Sequence, residues 1–148
     1  ALFTVLATLP ALAEEPILTI DAGNGDLRSF STETLHSLPK TSFDTTTIWT
    51  EGTVTFTGVD LKTLLNVLEI TEGVLKATAI NDYSVEIPVS DAVANGPIVA
   101  YARNGRELSV RDKGPLWIVY PYDSNADYQT EVIYSRSIWQ LNRISVQP

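Results

Sequence analysis

Two short stretches carry residue types able to hold a flat, charged ligand. In VRDKGPLWIVYP, Arg111 and Lys113 stand beside a Gly-Pro corner that leads into Trp117 and Tyr120. In SRSIW, Arg136, Ser137 and Trp139 lie close to the end of the sequence. Cationic side chains, free backbone N–H groups and aromatic faces are what a phosphate-bearing heterocycle needs. The same residues also suit a plain alternative, core aromatics next to a charged turn.

Catalytic constellations are absent. The single histidine, His36, has no neighbour in a metal motif, and a serine triad would need that same histidine. No H-E-x-x-H, Walker loop or dinucleotide glycine fingerprint occurs. With no cysteine, thiolate nucleophiles, disulfides, iron–sulfur clusters and cysteine zinc sites are excluded together. Carboxylate pairs such as Glu69/Glu72 and Asp123/Asp127 are expected in any acidic chain and carry no weight alone.

The 148 residues fit one domain, and the net charge of −8 argues against nucleic acid or an anionic membrane surface as the main partner. The charge is uneven: residues 1–102 sum to −9 and residues 103–148 to +1. Arg103, Arg106, Arg111, Lys113, Arg136 and Arg143 therefore occupy a less acidic region that can receive an anion. The opening ALFTVLATLPALAEEP has the apolar run and Ala-Leu-Ala site of a secretory signal, without the basic start. The expectation is a signal remnant over 1–13 and a single domain over 14–148, periplasmic or secreted and not membrane-embedded.

The elements that must position these residues are short. PILTI reads as a first strand, followed by a turn at Asn24-Gly25. STETLHSLP reads as a helix capped by Ser31 and ended by Pro39. The threonine-rich TTTIWTEGTVTFTGVDL gives a strand that Gly58 should break, with Asp60 capping the helix LKTLLNVLEI. Leu61, Leu64, Leu65 and Leu68 form that helix's apolar stripe. LKATAI and NDYSVEIP are extended pieces joined at Asn81-Asp82, and VSDAVANG suggests one or two helical turns. In IVAYARNGRELSV, Asn104-Gly105 is the pair preferred for a two-residue type I′ hairpin. GPLWIVYP suits a strand buried on both faces, and the tail suggests a short helix and then a closing strand. The order does not fit regular βαβ alternation; it predicts an α+β domain of mixed and antiparallel sheet with two or three short helices.

Five motifs stand in one order: F-x-G-V-D-L-x-x-L-L, A-x-N-D-Y-x-V-x-I-P-x-x-D, I-V-A-Y-x-x-N-G-x-x-L, K-G-P-L-W-I-V-Y-P and S-I-W-Q-L-N-R-I-S-V. This succession, over residues 17–147, resembles the oxidoreductase molybdopterin-binding domain, the catalytic fold of sulfite oxidase, and above all its small exported single-domain members. The resemblance implies a cleft for a molybdenum–pterin cofactor whose metal is bound by one cysteine thiolate. In bacterial members that cysteine can lie four residues before a tryptophan, which from Trp49 points to Thr45. A threonine hydroxyl is neutral and hard where the metal takes a soft thiolate.

Lys113, Arg136 and Ser137 are the best carry-overs for cofactor contact. Thr45, Trp49, Asn81, Tyr83, Arg103 and Arg111 complete the expected cleft-facing set. The resulting expectation is a non-catalytic binding domain for a pterin-like or other small anionic or heterocyclic ligand, or for a protein partner, with a sensory or accessory role among the options. The alternative is a molybdenum-dependent oxidoreductase with a non-cysteine metal ligand. No other cofactor is implied.

Overall fold

Residues 15–23 and 25–147 are described by a computed structural model. The apolar stretch 1–13 and Asn24 of the first turn lie outside them. Strand β1 (Leu18–Asp21) runs antiparallel to β2 (Leu27–Phe30) and parallel to the last strand, β10 (Leu141–Gln147). On the other side of β10 lie β5 (Val74–Ala79) and then β6 (Ser84–Pro88), both antiparallel. The first sheet is therefore ordered β2-β1-β10-β5-β6. Joining its two ends of sequence through β1 and β10 makes it mixed.

The second sheet is antiparallel throughout. Strands β3 (Thr41–Thr45), β4 (Val54–Asp60), β7 (Ile98–Arg103) and β8 (Arg106–Glu107) follow one another, and β9 (Trp117–Val119) also pairs with β7. The apolar run of β9 is buried at every position, as is β7 from Ile98 to Ala102. One contiguous core draws on both sheets, with Leu18, Ile20 and Ile144 from the first and Phe56, Val99 and Trp117 from the second.

Three helices among the described residues are too short to stand alone and depend on caps and packing. In α1 (Thr32–Ser37) the Ser31 hydroxyl accepts from the Thr34 N–H at 3.1 Å, and Leu35 is fully buried. In α3 (Glu131–Arg136) Thr130 plays the same part toward Ile133. The stripe of α2 (Leu61–Val67) is buried as its spacing predicts.

Three local readings differ from the structure. Strand β4 continues through Gly58: a Cβ there would lie 2.0 Å from the Val99 carbonyl oxygen, so glycine permits the close approach of β4 to β7 at a register shift. Asp60 stands at the cap position of α2 without a capping bond, because it still pairs with Ile98; the Leu61 N–H donates instead to the Pro97 carbonyl at 3.0 Å. VSDAVANG forms only a three-residue 3-10 turn, Val89–Asp91. The hairpin at Asn104-Gly105 has φ of 51° and 79°, the pair of positive values a type I′ turn requires.

Candidate ligand cleft

The loop between β3 and β4 is fixed by its threonines. The Thr47 hydroxyl accepts from the Trp49 N–H at 3.0 Å and shares a hydrogen with Thr50 at 2.7 Å. Across the fold, the Asp123 carboxylate accepts from the Thr46 N–H at 2.8 Å and from the Thr46 hydroxyl at 2.7 Å. These bonds hold the Asp123 carboxyl below the usual carboxylate range. The Asp123 N–H in turn donates to the Thr45 hydroxyl at 3.1 Å. A loop tied at its start to Asp123 and closed on itself between Thr47 and Thr50 can present one large side chain reproducibly, and that side chain is Trp49.

Trp49 is the hub of an aromatic cluster. Its ring meets Trp139, Tyr134, Trp117 and Tyr122 at centroid distances of 5.7, 5.8, 5.9 and 6.1 Å, all edge to face. Trp117 and Trp139 are set by backbone pairing. The Ile118 N–H donates to the Ile138 carbonyl, the Leu141 N–H to that of Leu116, and the Gln140 N–H to that of Lys113, each at 2.9 Å. Lys113 lies in the left-handed region at φ 70°, which aims its ammonium over Trp139 and Trp117 at 5.4 and 5.8 Å from the centroids.

Beneath the cluster sits a buried polar relay. The Tyr122 hydroxyl donates to the Ser137 hydroxyl at 2.5 Å, which donates to the Ile133 carbonyl at 2.9 Å. Burial pushes the Tyr122 phenol up to about 12. Tyr120 is raised further, by burial and by the Asp91 carboxylate, which accepts a hydrogen bond from its hydroxyl at 2.9 Å. Neither phenol is a base at ordinary pH. Arg136 closes the same group, donating to Asp91 at 2.8 Å.

These elements enclose a cleft of about 500 Å³, walled by Ile48, Trp49, Tyr83, Tyr134, Ile138 and Trp139 with the amides of Asn81 and Gln140. Its size and apolar lining are those of a small-molecule site. Ile48 and Tyr83 at its mouth are 62% and 59% exposed, a large apolar surface to leave in water.

Of the residues expected from sequence, Trp49, Asn81, Tyr83 and Ser137 line this cleft. Lys113 stands behind its tryptophan wall, and Arg136 is held by Asp91. Arg103 lines a separate cleft with Arg106 and Glu107, and Arg111 is exposed on a 3-10 turn, Val110–Asp112. Thr45 is fully buried, its hydroxyl donating to the Thr46 carbonyl and accepting from Asp123. Thr45 therefore supplies neither a thiolate nor a free oxygen, and with no cysteine in the sequence the residues present do not offer the soft ligand that the resemblance implies for molybdenum. Sequence reasoning did not assign Ile48, Tyr134, Ile138, Trp139 or Gln140 to the site. Trp139 carries a signal, as the aromatic of SRSIW near Arg136 and Ser137; Ile48, Tyr134 and Ile138 are of residue types that by themselves mark no binding motif.

Residues 17–124 match the family described as oxidoreductase molybdopterin binding domain. No curated protein matches the chain by sequence. Among solved structures, the sulfane dehydrogenase SoxCD from Paracoccus pantotrophus superposes with a TM-score of 0.65 at 17% identity, over 87% of this chain and 37% of that one. At that identity the likeness concerns the fold, and the chain spans little more than a third of the SoxCD chain. Family match and superposition agree on an α+β architecture of sulfite-oxidase type. The chain belongs to the oxidoreductase molybdopterin-binding domain family.

Proposed function

We propose that the chain is an exported, non-catalytic binding domain that takes a pterin-like ring into the Trp49–Trp139 cleft. One observation carries the reading. The cleft offers aromatic walls around about 500 Å³, while Thr45, which the family resemblance sets about where a metal-binding cysteine is expected, is buried and hydrogen-bonded on both sides. Aromatic walls favour a flat ring by stacking and area burial. Oxygen transfer at molybdenum has no soft ligand from which to start.

The test is purification from a host that makes the molybdenum cofactor, followed by metal analysis and titration of tryptophan fluorescence with a pterin. Saturable quenching with molybdenum far below one equivalent per chain is the expected result. Stoichiometric molybdenum overturns the non-catalytic reading. A titration with neither quenching nor a shift in melting temperature overturns ligand binding.

Export rests on the signal-like character of residues 1–13. Protein recovered from the periplasm should begin near Glu14; an uncleaved chain retained in the cytoplasm overturns export.

A further inference from the structure

The chemistry of the cleft narrows what it can hold, given the reading of it as a ligand site. None of its lining residues is charged. The cations that an anionic ligand would need are committed or elsewhere. Arg136 Nη1 lies 2.8 Å from Asp91 Oδ2, Lys113 Nζ is spread over two tryptophan rings, and Arg103 lines the other cleft. A phosphate entering the cleft would surrender its hydration to apolar walls with no counter-charge. Stacking does not offset that loss.

Two amides in the lining have orientations fixed by internal hydrogen bonds. Asn81 Oδ1 accepts from the Tyr83 N–H at 3.2 Å, which leaves the Asn81 NH2 as a free donor. Gln140 Nε2 donates to the Val110 carbonyl at 2.9 Å, which leaves the Gln140 side-chain oxygen as a free acceptor. The two sit at one joint of the fold, since the Ile80 N–H donates to the Gln140 backbone carbonyl at 2.9 Å. A donor and an acceptor beside aromatic walls complement a ring edge that carries a carbonyl next to an N–H.

We infer that the ligand is an uncharged planar heteroaromatic ring with a cyclic-amide edge, bound without a phosphate. Charge is excluded by the lining, and the amide edge is read by Asn81 and Gln140. This departs from a phosphorylated cofactor while keeping the same cleft.

Titration of tryptophan fluorescence with four probes tests it, at a mildly acidic pH where the rings are neutral. The probes are hydroxymethylpterin, its diphosphate, lumazine, and lumazine methylated at both ring nitrogens of its amide edge. Hydroxymethylpterin should bind at least as tightly as its diphosphate, with an affinity insensitive to salt. Methylation should weaken lumazine about tenfold, the loss of one or two hydrogen bonds. Tighter, salt-sensitive binding of the diphosphate overturns the uncharged ligand and leaves the cleft reading intact. Binding by none of the four overturns the cleft reading itself, and this inference with it.

Asn81→Asp supplies a second measurement. It keeps the acceptor for the Tyr83 N–H and replaces the free donor with a carboxylate oxygen. It should weaken lumazine about tenfold at an unchanged melting temperature. Wild-type affinity in that variant overturns recognition of the amide edge.

Discussion

Two clefts of similar size divide the chemistry of this molecule. The Trp49–Trp139 cleft, about 500 Å³, is walled by rings that also pack on one another. The other, about 620 Å³, lies along the β7–β8 hairpin and is lined by Arg103, Arg106, Glu107 and Asp112 among others. The second is larger and carries more charge, yet its two arginines are not tied down by ion pairs. Arg103 and Arg106 face each other as a cross-strand pair, and neither has an ion-pair partner among the described residues. Like charges directly opposite weaken a strand pair. In the first cleft the tryptophan wall is fixed several times over, by ring contacts, backbone bonds and the Asp123 latch on the Trp49 loop. Preorganisation, rather than volume or charge, separates a site from a surface hollow.

The comparison breaks most readily at Trp117, which is fully buried and contacts Trp49, Phe56 and Trp139. Trp117→Ala should cost about 3–5 kcal/mol of stability. Arg106→Ala, in the second cleft, should stay within about 0.5 kcal/mol of wild type. Urea denaturation of both variants measures the contrast, and equal losses would refute it.

A middle-sized effect separates the two arginines once expected to share one site. Asp91 accepts from both Tyr120 and Arg136, and its side chain is only 20% exposed. Asp91→Ala leaves a buried phenol and a half-buried guanidinium without their acceptor, at a cost of about 1–3 kcal/mol. Removing the Arg103 charge as Arg103→Met should change stability by less than about 0.5 kcal/mol. Thermal melts of the two variants read the difference directly. A melting temperature for Asp91→Ala equal to that of wild type would show that the Tyr120–Asp91–Arg136 group does not brace α3.

The fold was more legible in the sequence than the cleft, for a physical reason. Backbone chemistry is local: Asn104-Gly105 announces its turn, Ser31 its cap, and the leucines of α2 their buried face. The run of β9 shows by its composition alone that both faces are covered. A site is assembled from residues distant in sequence, so which side of a wall a side chain occupies is not local information. Trp49, Asn81 and Tyr83, which line the cleft, were brought together by the long-range order that a family resemblance supplied; Ser137 already stood with Arg136 and Trp139 in SRSIW. Arg136 and Arg103 looked alike as cations, and only the tertiary partner Asp91 distinguishes them. Tyr134, on a short helix, and Ile138, just beyond its end, gave no sign, since an aromatic or aliphatic residue in such a place reads as core. Asp123 was set aside as one carboxylate among many, although its partner Thr46 lies 77 positions away.

Asp123 yields the smallest effect and the finest test of the preorganised cleft. Hydrogen bonds from Thr46 lower its pKa from the ordinary value of 3.8, so the charged carboxylate is the form that holds the loop. A depressed folded pKa stabilises above the unfolded value and is lost as pH falls through the folded one. The carboxylate is exposed to solvent, so global stability should change little on that account. The local consequence is larger, because the loop it holds carries Trp49. Acidification below the ordinary carboxylate range should therefore shift tryptophan emission before the global unfolding transition. Asp123→Asn cannot accept both Thr46 bonds with one oxygen in the same way, so its loop should be loosened at every pH and the early acid step should vanish. An early step of equal size in that variant would mean that another group holds Trp49 in place. That titrating group, rather than the Asp123 latch, would then set the wall of the cleft.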